Sequence, residues 1–178
     1  MFENESENSV IKLIDFGLST SYLEEVQNDK GKQNRVLTKL KTCAGTSLYM
    51  APEVIAKQYS CACDLWSAGV ILYIMLAGYP PFYGDNDIDV FTKVIAFEYD
   101  FDDEVWDGVS DEAKDLIQRL LTDAPRRLDA KQALNHSWII DNSKNEPRAS
   151  LNDNVISRIA TFSNASKIQQ IALNFIAH

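Results

Sequence analysis

The stretch DLWSAGVILYIMLAG, residues 64–78, decides the fold of this chain. From Leu65 to Ala77 it is apolar on nearly every side of a helix, and it stops at Gly78 with two prolines shortly beyond. A glycine after the last turn followed by proline is a helix stop signal. Because a helix that is apolar all round is a buried helix, we predict that this segment lies in the interior of a domain.

More helices are predicted on the C-terminal side of this segment. Residues 87–96 and 110–121 have amphipathic spacing, and the second has Ser110 as its N-cap with two acidic residues in its first turn. Residues 130–134 form a short last helix. The chain is therefore predicted to be mainly α.

The strand signal lies near the N-terminus. Residues 10–14 form a short apolar strand that the turn formers Asp15 and Gly17 close, and we expect residues 1–2 to pair with it in a small β-hairpin. Residues 18–47 are polar and lack helical or strand periodicity over most of their length. We predict a long loop there, and loops of that length are usually functional or mobile.

The composition changes after Asp141. Residues 142–150 are predicted to be a linker, and residues 151–178 carry apolar side chains at helical spacing. The segment 147–178 has a net charge of +2 and the rest of the chain −11. We therefore predict a basic amphipathic tail on an acidic body. The apolar positions of the tail are Leu151, Val155, Ile159, Phe162, Ile168, Ile171 and Phe175.

Charge and hydropathy exclude several classes of function. Seventeen basic residues against 26 acidic ones give a net charge of −9, which argues against binding to nucleic acid or to an anionic membrane. The longest apolar run, residues 68–77, is far shorter than the roughly 20 residues of a transmembrane helix. Residues 1–9 lack the basic start of a secretory signal. We expect a cytosolic or nuclear chain and favour the cytoplasm as its compartment. Any association with a membrane would depend on an N-terminal region that is absent from this sequence.

Cysteine and histidine, the usual ligands of zinc, are few in this chain. Cys43, Cys61 and Cys63 are odd in number and lack zinc-type spacing, so we interpret them as reduced thiols. His136 and His178 are the only histidines. We expect both to be structural.

Asp85, Asp87 and Asp89 alternate like the first ligands of an EF-hand loop. However, the sixth position is Val90, where the loop requires glycine, and the twelfth is Ala96, where it requires a bidentate glutamate. A calcium site in this segment is therefore excluded.

Two short motifs bracket the polar loop. DFG, residues 15–17, follows the predicted strand, and APE, residues 51–53, follows the loop. Together with Gly45–Thr46 and DLWSAG, residues 64–69, they make a specific match. The chain resembles the large C-terminal lobe of eukaryotic protein kinases, which is mainly α, with residues 15–53 as its activation segment.

The resemblance implies a magnesium ligand. Phosphoryl transfer needs neutralisation of the negative charge on the phosphate oxygens, which a carboxylate-held magnesium ion supplies. By resemblance Asp15 holds this ion, Phe16 packs inward to set its position, and Gly17 lets the backbone turn. The alternative is that Asp15 is an ordinary turn or cap residue.

Two threonines of the activation segment acquire roles by the same resemblance. Thr42 stands four residues before Thr46, where activatable kinases often carry a phosphothreonine whose charge orders the loop. Calcium-regulated relatives often dispense with that step, so Thr42 is either a regulatory site or an exposed threonine. Thr46 resembles the substrate-loop threonine that approaches the catalytic aspartate. Ser47 departs from the commonest pattern, which has proline.

Three further residues are structural by resemblance. Glu53 and Arg127 match a buried ion pair that ties the end of the activation segment to the last helices. Removing one partner of such a pair typically costs about 3 to 5 kcal/mol, because the other charge is stranded. Asp64 is expected to cap the buried helix and to accept hydrogen bonds from the backbone of the catalytic loop.

The catalytic loop itself does not occur in the sequence. The chain has no His-Arg-Asp run, no glycine-rich nucleotide loop and no Val-Ala-Ile-Lys strand, so no catalytic residue is assigned. We interpret the chain as a fragment in which Met1 is an internal methionine. ATP and magnesium belong to the complete enzyme. Alone, the fragment should leave an apolar face of its buried helix open, and it should associate or be poorly soluble.

The tail narrows the resemblance to the calcium-dependent protein kinases of plants and protists. In them a junction after the kinase domain blocks the active site until an acidic calmodulin-like domain of EF-hands captures it with calcium. A basic amphipathic helix suits such capture, although this tail is only weakly basic. The alternative is that the tail packs on its own domain. The EF-hands, and with them the calcium, would lie beyond His178.

The leading hypothesis has residues 1–141 as a partial kinase lobe, 142–150 as linker and 151–178 as autoinhibitory junction. The complete enzyme would transfer the ATP γ-phosphoryl group to serine or threonine of protein substrates, and this chain would be inactive by itself. The alternative is a noncatalytic regulatory or scaffold fragment that binds substrates or a calmodulin-like partner.

Overall fold

The computed structural model describes residues 9–10, 12–21, 23–27, 33–37, 40–42 and 45–144, and positions 157 and 160. The chain divides into two compact units, Met1–Lys39 and Leu40–His178. The anchors predicted for the tail lie outside the described residues; they are Leu151, Val155, Ile159, Phe162, Ile168, Ile171 and Phe175.

The described part is mainly α, as predicted. Two short strands belong to the first unit and the helices to the second. In chain order the elements are β1 (Leu23–Gln27), β2 (Gln33–Leu37), a 3-10 helix (Ser47–Tyr49), α1 (Pro52–Ile55), α2 (Ala62–Ala77), α3 (Asp87–Ala96), a second 3-10 helix (Glu104–Gly108), α4 (Asp111–Leu120), α5 (Ala130–Leu134) and α6 (Ser137–Lys144).

The position of the β-structure was predicted wrongly. Residues 12–14 form no strand, and the observed pair, β1 with β2, lies within the segment predicted as a loop. The two strands are antiparallel, with Leu23 opposite Leu37 and Gln27 opposite Gln33. A strand is defined by the hydrogen bonds of its partner, so an apolar run without a paired neighbour forms none, whereas polar segments that meet can pair.

Helix α2 lies at the centre of the second unit's core. Trp66 and Val70 are fully buried on it, and α4 packs alongside. Gly69 makes the close approach possible, since a Cβ there would lie 2.8 Å from the Cβ of Leu120. The predicted burial on all sides is wrong for one face, where Ile71 is 49% and Met75 55% exposed. This open face agrees with the expectation that the chain alone leaves part of the helix uncovered.

Aromatic rings complete this core. The rings of Trp66 and Phe82 stack with centroids 5.4 Å apart, and Trp106 lies 4.7 Å from Tyr73. Tyr73 donates its hydroxyl proton to the backbone carbonyl of Asp100 at 3.0 Å, so the one polar atom of this buried ring is satisfied. The rings therefore join α2 to the chain that precedes and follows α3.

Local capping explains where the helices start and stop. Asn86 accepts hydrogen bonds from the first turn of α3, and Ser110 accepts one from the N–H of Ala113, as predicted for α4. Gly78 ends α2 in the left-handed region with φ 82°. Asp129 and Gln132 form a reciprocal capping box on α5. These signals lie within a few residues of each helix end.

Helix α6 was not predicted. His136 precedes it, and its Nδ1 accepts a hydrogen bond from the N–H of Trp138 at 3.3 Å. The ring proton therefore lies on Nε2, which is 2.9 Å from a carboxylate oxygen of Asp115. His136 is structural, as expected. Helix α6 continues through Lys144, three residues into the segment predicted as a linker. Among the described helices, none has the length and apolar character needed to cross a bilayer.

Candidate functional site

Asp15 lies in a tight turn of the first unit. Its backbone has φ 62°, in the left-handed region that Asp tolerates better than most residues. The N–H of Gly17 donates to Oδ1 of Asp15 at 3.2 Å, and the hydroxyl of Ser19 donates to the carbonyl of Phe16 at 2.7 Å. Side chain and backbone thus form an Asx-type turn that leaves the Asp15 carboxylate exposed.

Phe16 does not pack inward as predicted. Its side chain is 67% exposed, and its apolar neighbours Leu13, Ile14 and Leu18 are exposed as well. An aromatic ring packs inward only where other apolar side chains form a core around it. These neighbours supply no such core, so the inward position is not adopted in the described structure.

The Asp15 carboxylate fits a magnesium ion as one ligand among several. Magnesium prefers carboxylate oxygen and is usually held by one or two carboxylates, with water and phosphate oxygens completing its shell. Within the described residues there is no cluster of three or more histidine, cysteine, aspartate or glutamate side chains suited to a metal. Among the described residues the Asp15 turn therefore offers one carboxylate, and water and the phosphate oxygens of a nucleotide would supply further ligands.

The second unit carries the other predicted residues. Gly45 has φ 124°, a conformation that favours glycine, and it leads into the first 3-10 helix. Thr46 precedes that helix and is exposed, and its carbonyl accepts a hydrogen bond from the N–H of Tyr49 at 3.1 Å. Thr42 is exposed as well. Both threonines are accessible, which leaves open the two interpretations of Thr42.

Ser67 fixes the 3-10 helix to α2. Its hydroxyl donates to the carbonyl of Tyr49 at 2.9 Å and lies 3.3 Å from the carbonyl of Cys63 on its own helix. No role for Ser67 was predicted, although it belongs to the DLWSAG motif. A serine within an otherwise apolar helix is the sequence signal that could have indicated this contact.

The predicted pair of Glu53 and Arg127 is confirmed. Glu53 lies in the first turn of α1, and Arg127 follows α4 and is buried. Nη1 and Nη2 of Arg127 donate to the two carboxylate oxygens of Glu53 at 2.5 and 3.0 Å. This bidentate arrangement is the strong form of an arginine–carboxylate pair.

The remaining donors of Arg127 are also satisfied. Nη1 donates to the carbonyl of Ala62, and both Nη2 and Nε donate to the carbonyl of Thr122. All five N–H groups of the guanidinium therefore have partners. The guanidinium carbon lies 5.2 Å from the ring centroid of Trp66. A single side chain thus joins α1, the start of α2, the end of α4 and the aromatic core.

Asp64 does not cap α2 as predicted. The helix begins two residues earlier, at Ala62, with Cys61 at the N-cap position, and Asp64 lies inside the first turn. A carboxylate there interacts favourably with the helix dipole without capping. The thiol of Cys63 lies 3.8 Å from Oδ1 of Asp64. Burial, followed by the charges of Asp64 and Glu53, raises the pKa of Cys63 to about 12, so it remains a protonated thiol.

A family comparison matches most of the chain. Residues 1–139 fit the family model described as "Protein kinase domain". This span contains the Asp15 turn, the Thr46 segment and the Glu53–Arg127 pair. The chain belongs to the protein kinase family.

The similar curated proteins described next are all named calcium-dependent protein kinases. The chain is 40% identical over 184 residues to Calcium-dependent protein kinase 3 of Plasmodium yoelii yoelii, covering 99% of this chain and 31% of that protein. It is 40% identical over 178 residues to Calcium-dependent protein kinase 16 of Oryza sativa subsp. japonica, and 39% to Calcium-dependent protein kinase 21 of Arabidopsis thaliana. The predicted resemblance is confirmed. The chain spans about 30% of the length of these relatives.

Proposed function

We propose that this chain is the activation segment, the substrate-side helices and the autoinhibitory junction of a calcium-regulated serine/threonine protein kinase. The complete enzyme transfers the γ-phosphoryl group of ATP to a serine or threonine hydroxyl of a protein substrate. The observation that carries this proposal is the Glu53–Arg127 contact, since the resemblance assigned a buried ion pair to those two residues and the structure has them in bidentate contact. The similarity to calcium-dependent protein kinases over 99% of the chain supports the calcium-regulated type.

In this proposal each site residue has a limited task. Asp15 presents a carboxylate toward magnesium, which when bound neutralises charge on the phosphate oxygens. Gly17 orients that carboxylate through its N–H, which donates to Oδ1. Thr46 lies on an exposed segment that Ser67 anchors through Tyr49, a position suited to contact with a protein substrate. Glu53 and Arg127 hold the end of this segment on the helical core.

The test replaces Asp15 in an active polypeptide. The matching segment of the Arabidopsis relative named above is exchanged for residues 1–178, and transfer of labelled phosphate from ATP to a serine-containing peptide is measured. Asp15→Asn keeps the size of the side chain and its hydrogen-bond acceptor but removes the charge, so we expect activity to fall by about a hundredfold or more. Asp85→Asn is the matched control, an exposed aspartate outside the site, and it should leave the rate unchanged.

Equal rates for the Asp15→Asn and parent chimeras would overturn the assignment of Asp15. The 178 residues alone contain no His-Arg-Asp run, so they should show no transfer under the same conditions. A chimera that folds and binds substrate peptide but stays inactive in its parent form would favour the scaffold alternative.

The tail is proposed to bind a calmodulin-like domain that lies on the same polypeptide. Its support is the apolar helical spacing and the +2 charge of residues 147–178 in an otherwise acidic chain. A peptide of these residues should bind calmodulin in calorimetry with calcium and not without it. The absence of heat in both states would refute this proposal. The cytoplasmic location remains a prediction from the sequence.

A further inference from the structure

The second unit contains a cavity of about 500 Å³ that the proposed phosphotransfer does not use. It lies beside the C-terminal end of α2, between the loop that follows this helix, α3 and the segment after α3. Tyr79, Tyr83 and Tyr99 line it, together with the rings of Pro80 and Pro81. Tyr83 is largely exposed, so this side of the cavity is open to solvent. Its walls therefore offer flat aromatic faces to an incoming group.

The rim of the cavity is acidic. Glu98, Asp100 and Asp103 line it and are exposed, against a single lysine, Lys93. Burial raises the pKa of Tyr99 to about 12, so this tyrosine adds no negative charge near neutral pH. Three carboxylates against one ammonium favour a cationic occupant.

One wall of the cavity already holds a cation. Nζ of Lys93 lies 4.4 Å from the ring centroid of Tyr83. A cation within about 6 Å of a ring centroid is attracted by the quadrupole of the ring. This contact does not involve the carboxylates, and it shows that the ring of Tyr83 is accessible to positive charge.

The surrounding segment concentrates the charge of the whole chain. Residues 85–107 contain nine acidic residues and one lysine, a net charge of −8, while the whole chain has −9. All nine carboxylates are exposed. The rest of the chain is close to neutral, so the negative potential is centred on this region and would steer a basic partner toward it.

We propose that this cavity, the acidic tyrosine pocket, binds an arginine side chain from a basic segment of a second protein. Arginine suits it better than lysine, because a planar guanidinium can stack on a tyrosine ring while its N–H groups donate to carboxylates at the rim. Anionic partners are repelled by the same charge. The proposal concerns binding alone and does not depend on phosphotransfer.

The direct test is calorimetry of the 178-residue chain with a short glycine–serine peptide that contains several arginines. Matched peptides carry lysine, or citrulline, which has the shape of arginine without its charge. We expect the arginine peptide to bind most tightly, the lysine peptide about threefold or more weaker, and the citrulline peptide not measurably. Binding should weaken as salt is added.

Matched variants separate the pocket from the general acidic field. Glu98→Gln with Asp100→Asn removes two carboxylates from the rim, and Asp87→Asn with Asp107→Asn removes two from the same segment outside it. The rim variant should weaken arginine-peptide binding by about tenfold, and the outer variant by less than about twofold. Tyr83→Ala removes an exposed wall without opening the core, and it should also weaken binding. Circular dichroism of each variant confirms that it is folded.

Several outcomes would overturn the proposal. Equal weakening by the two double variants would mean diffuse attraction rather than a pocket, and equal binding of the citrulline peptide would mean that no cation is recognised. No binding of the arginine peptide to the parent chain would have the same consequence. If a peptide of residues 147–178 displaces the arginine peptide, the occupant is the tail of this chain and not a second protein.

Discussion

Arg127 shows how a single residue stabilises the described core. The charge of a buried arginine is tolerated only where its donors are satisfied, and here all five are, by Glu53 and two backbone carbonyls. Two of these partners lie far from Arg127 along the chain, Glu53 by 74 residues and Ala62 by 65. The guanidinium therefore cross-links segments that are distant from each other in the sequence.

We expect Arg127→Met to lower the free energy of unfolding by about 3 to 5 kcal/mol, because it strands the Glu53 carboxylate and leaves two backbone carbonyls without a donor. Glu53→Gln should cost less, since its amide oxygen can still accept from the guanidinium. Urea unfolding followed by tryptophan fluorescence measures both. Arg126→Met is the matched control, the adjacent but exposed arginine, and its midpoint should hardly move. A similar midpoint for Arg126→Met and Arg127→Met would contradict this account.

At the scale of the element, the contact of α2 with α4 depends on a missing side chain. Gly69 lies in the middle of α2, where glycine normally disfavours a helix. Glycine is needed at this position because a Cβ would lie 2.8 Å from the Cβ of Leu120 and 3.0 Å from a methyl group of Leu121. The Leu120 Cβ is attached to the backbone of α4 and cannot swing away, so the spacing of the two helices is set at this point.

Gly69→Ala should therefore destabilise the fold despite its better helix propensity. Overpacking costs about 1 to 3 kcal/mol, whereas replacing a helical glycine with alanine returns about 1 kcal/mol. Thermal unfolding should show a lower midpoint. Gly108→Ala provides the comparison, because a Cβ at that position meets nothing within 4 Å. A rise in the midpoint of Gly69→Ala would show that α4 moves away without cost.

On the scale of the whole molecule, the described core is covered unevenly. Among the residues whose burial the structure describes, the buried apolar ones lie between Ala51 and Leu121, in the second unit. One face of α2 remains open through Ile71 and Met75. Beside it lies an almost wholly apolar groove of about 420 Å³, lined by residues of α2, α4, α5 and α6. Exposed apolar surface of this kind promotes association.

We predict that the 178-residue chain self-associates and that Ile71→Gln with Met75→Gln shifts it toward the monomer. The reason is the loss of apolar area on the open face of α2. Sedimentation velocity at a series of concentrations measures the shift. Ile88→Gln, on the exposed side of α3, is the control and should leave the distribution largely as it was. Unchanged association in the double variant would place the contact on another surface.

Most helices could be predicted from the sequence, but the strands could not. The bounds of α3 and α5 agree with the prediction, and α4 lies between the caps expected for it. Helix α6 was missed because it is short and mostly polar, and its start depends on His136, whose ring is held by Asp115 from another helix. Of the candidate site, the Glu53–Arg127 pair was anticipated, while the exposure of Phe16 and the position of Asp64 inside its helix were not.

By itself the sequence determined the number and kind of most helices, the family resemblance and the acidic character of residues 85–107. Caps, stop signals and apolar periodicity act over a few residues, so they can be read without knowing what lies nearby in space. Only the tertiary structure decided which face of α2 is covered, how Arg127 satisfies every donor, and that tyrosines and carboxylates meet around one cavity. Each of those depends on contacts between separate helices and loops, which form only when the core packs.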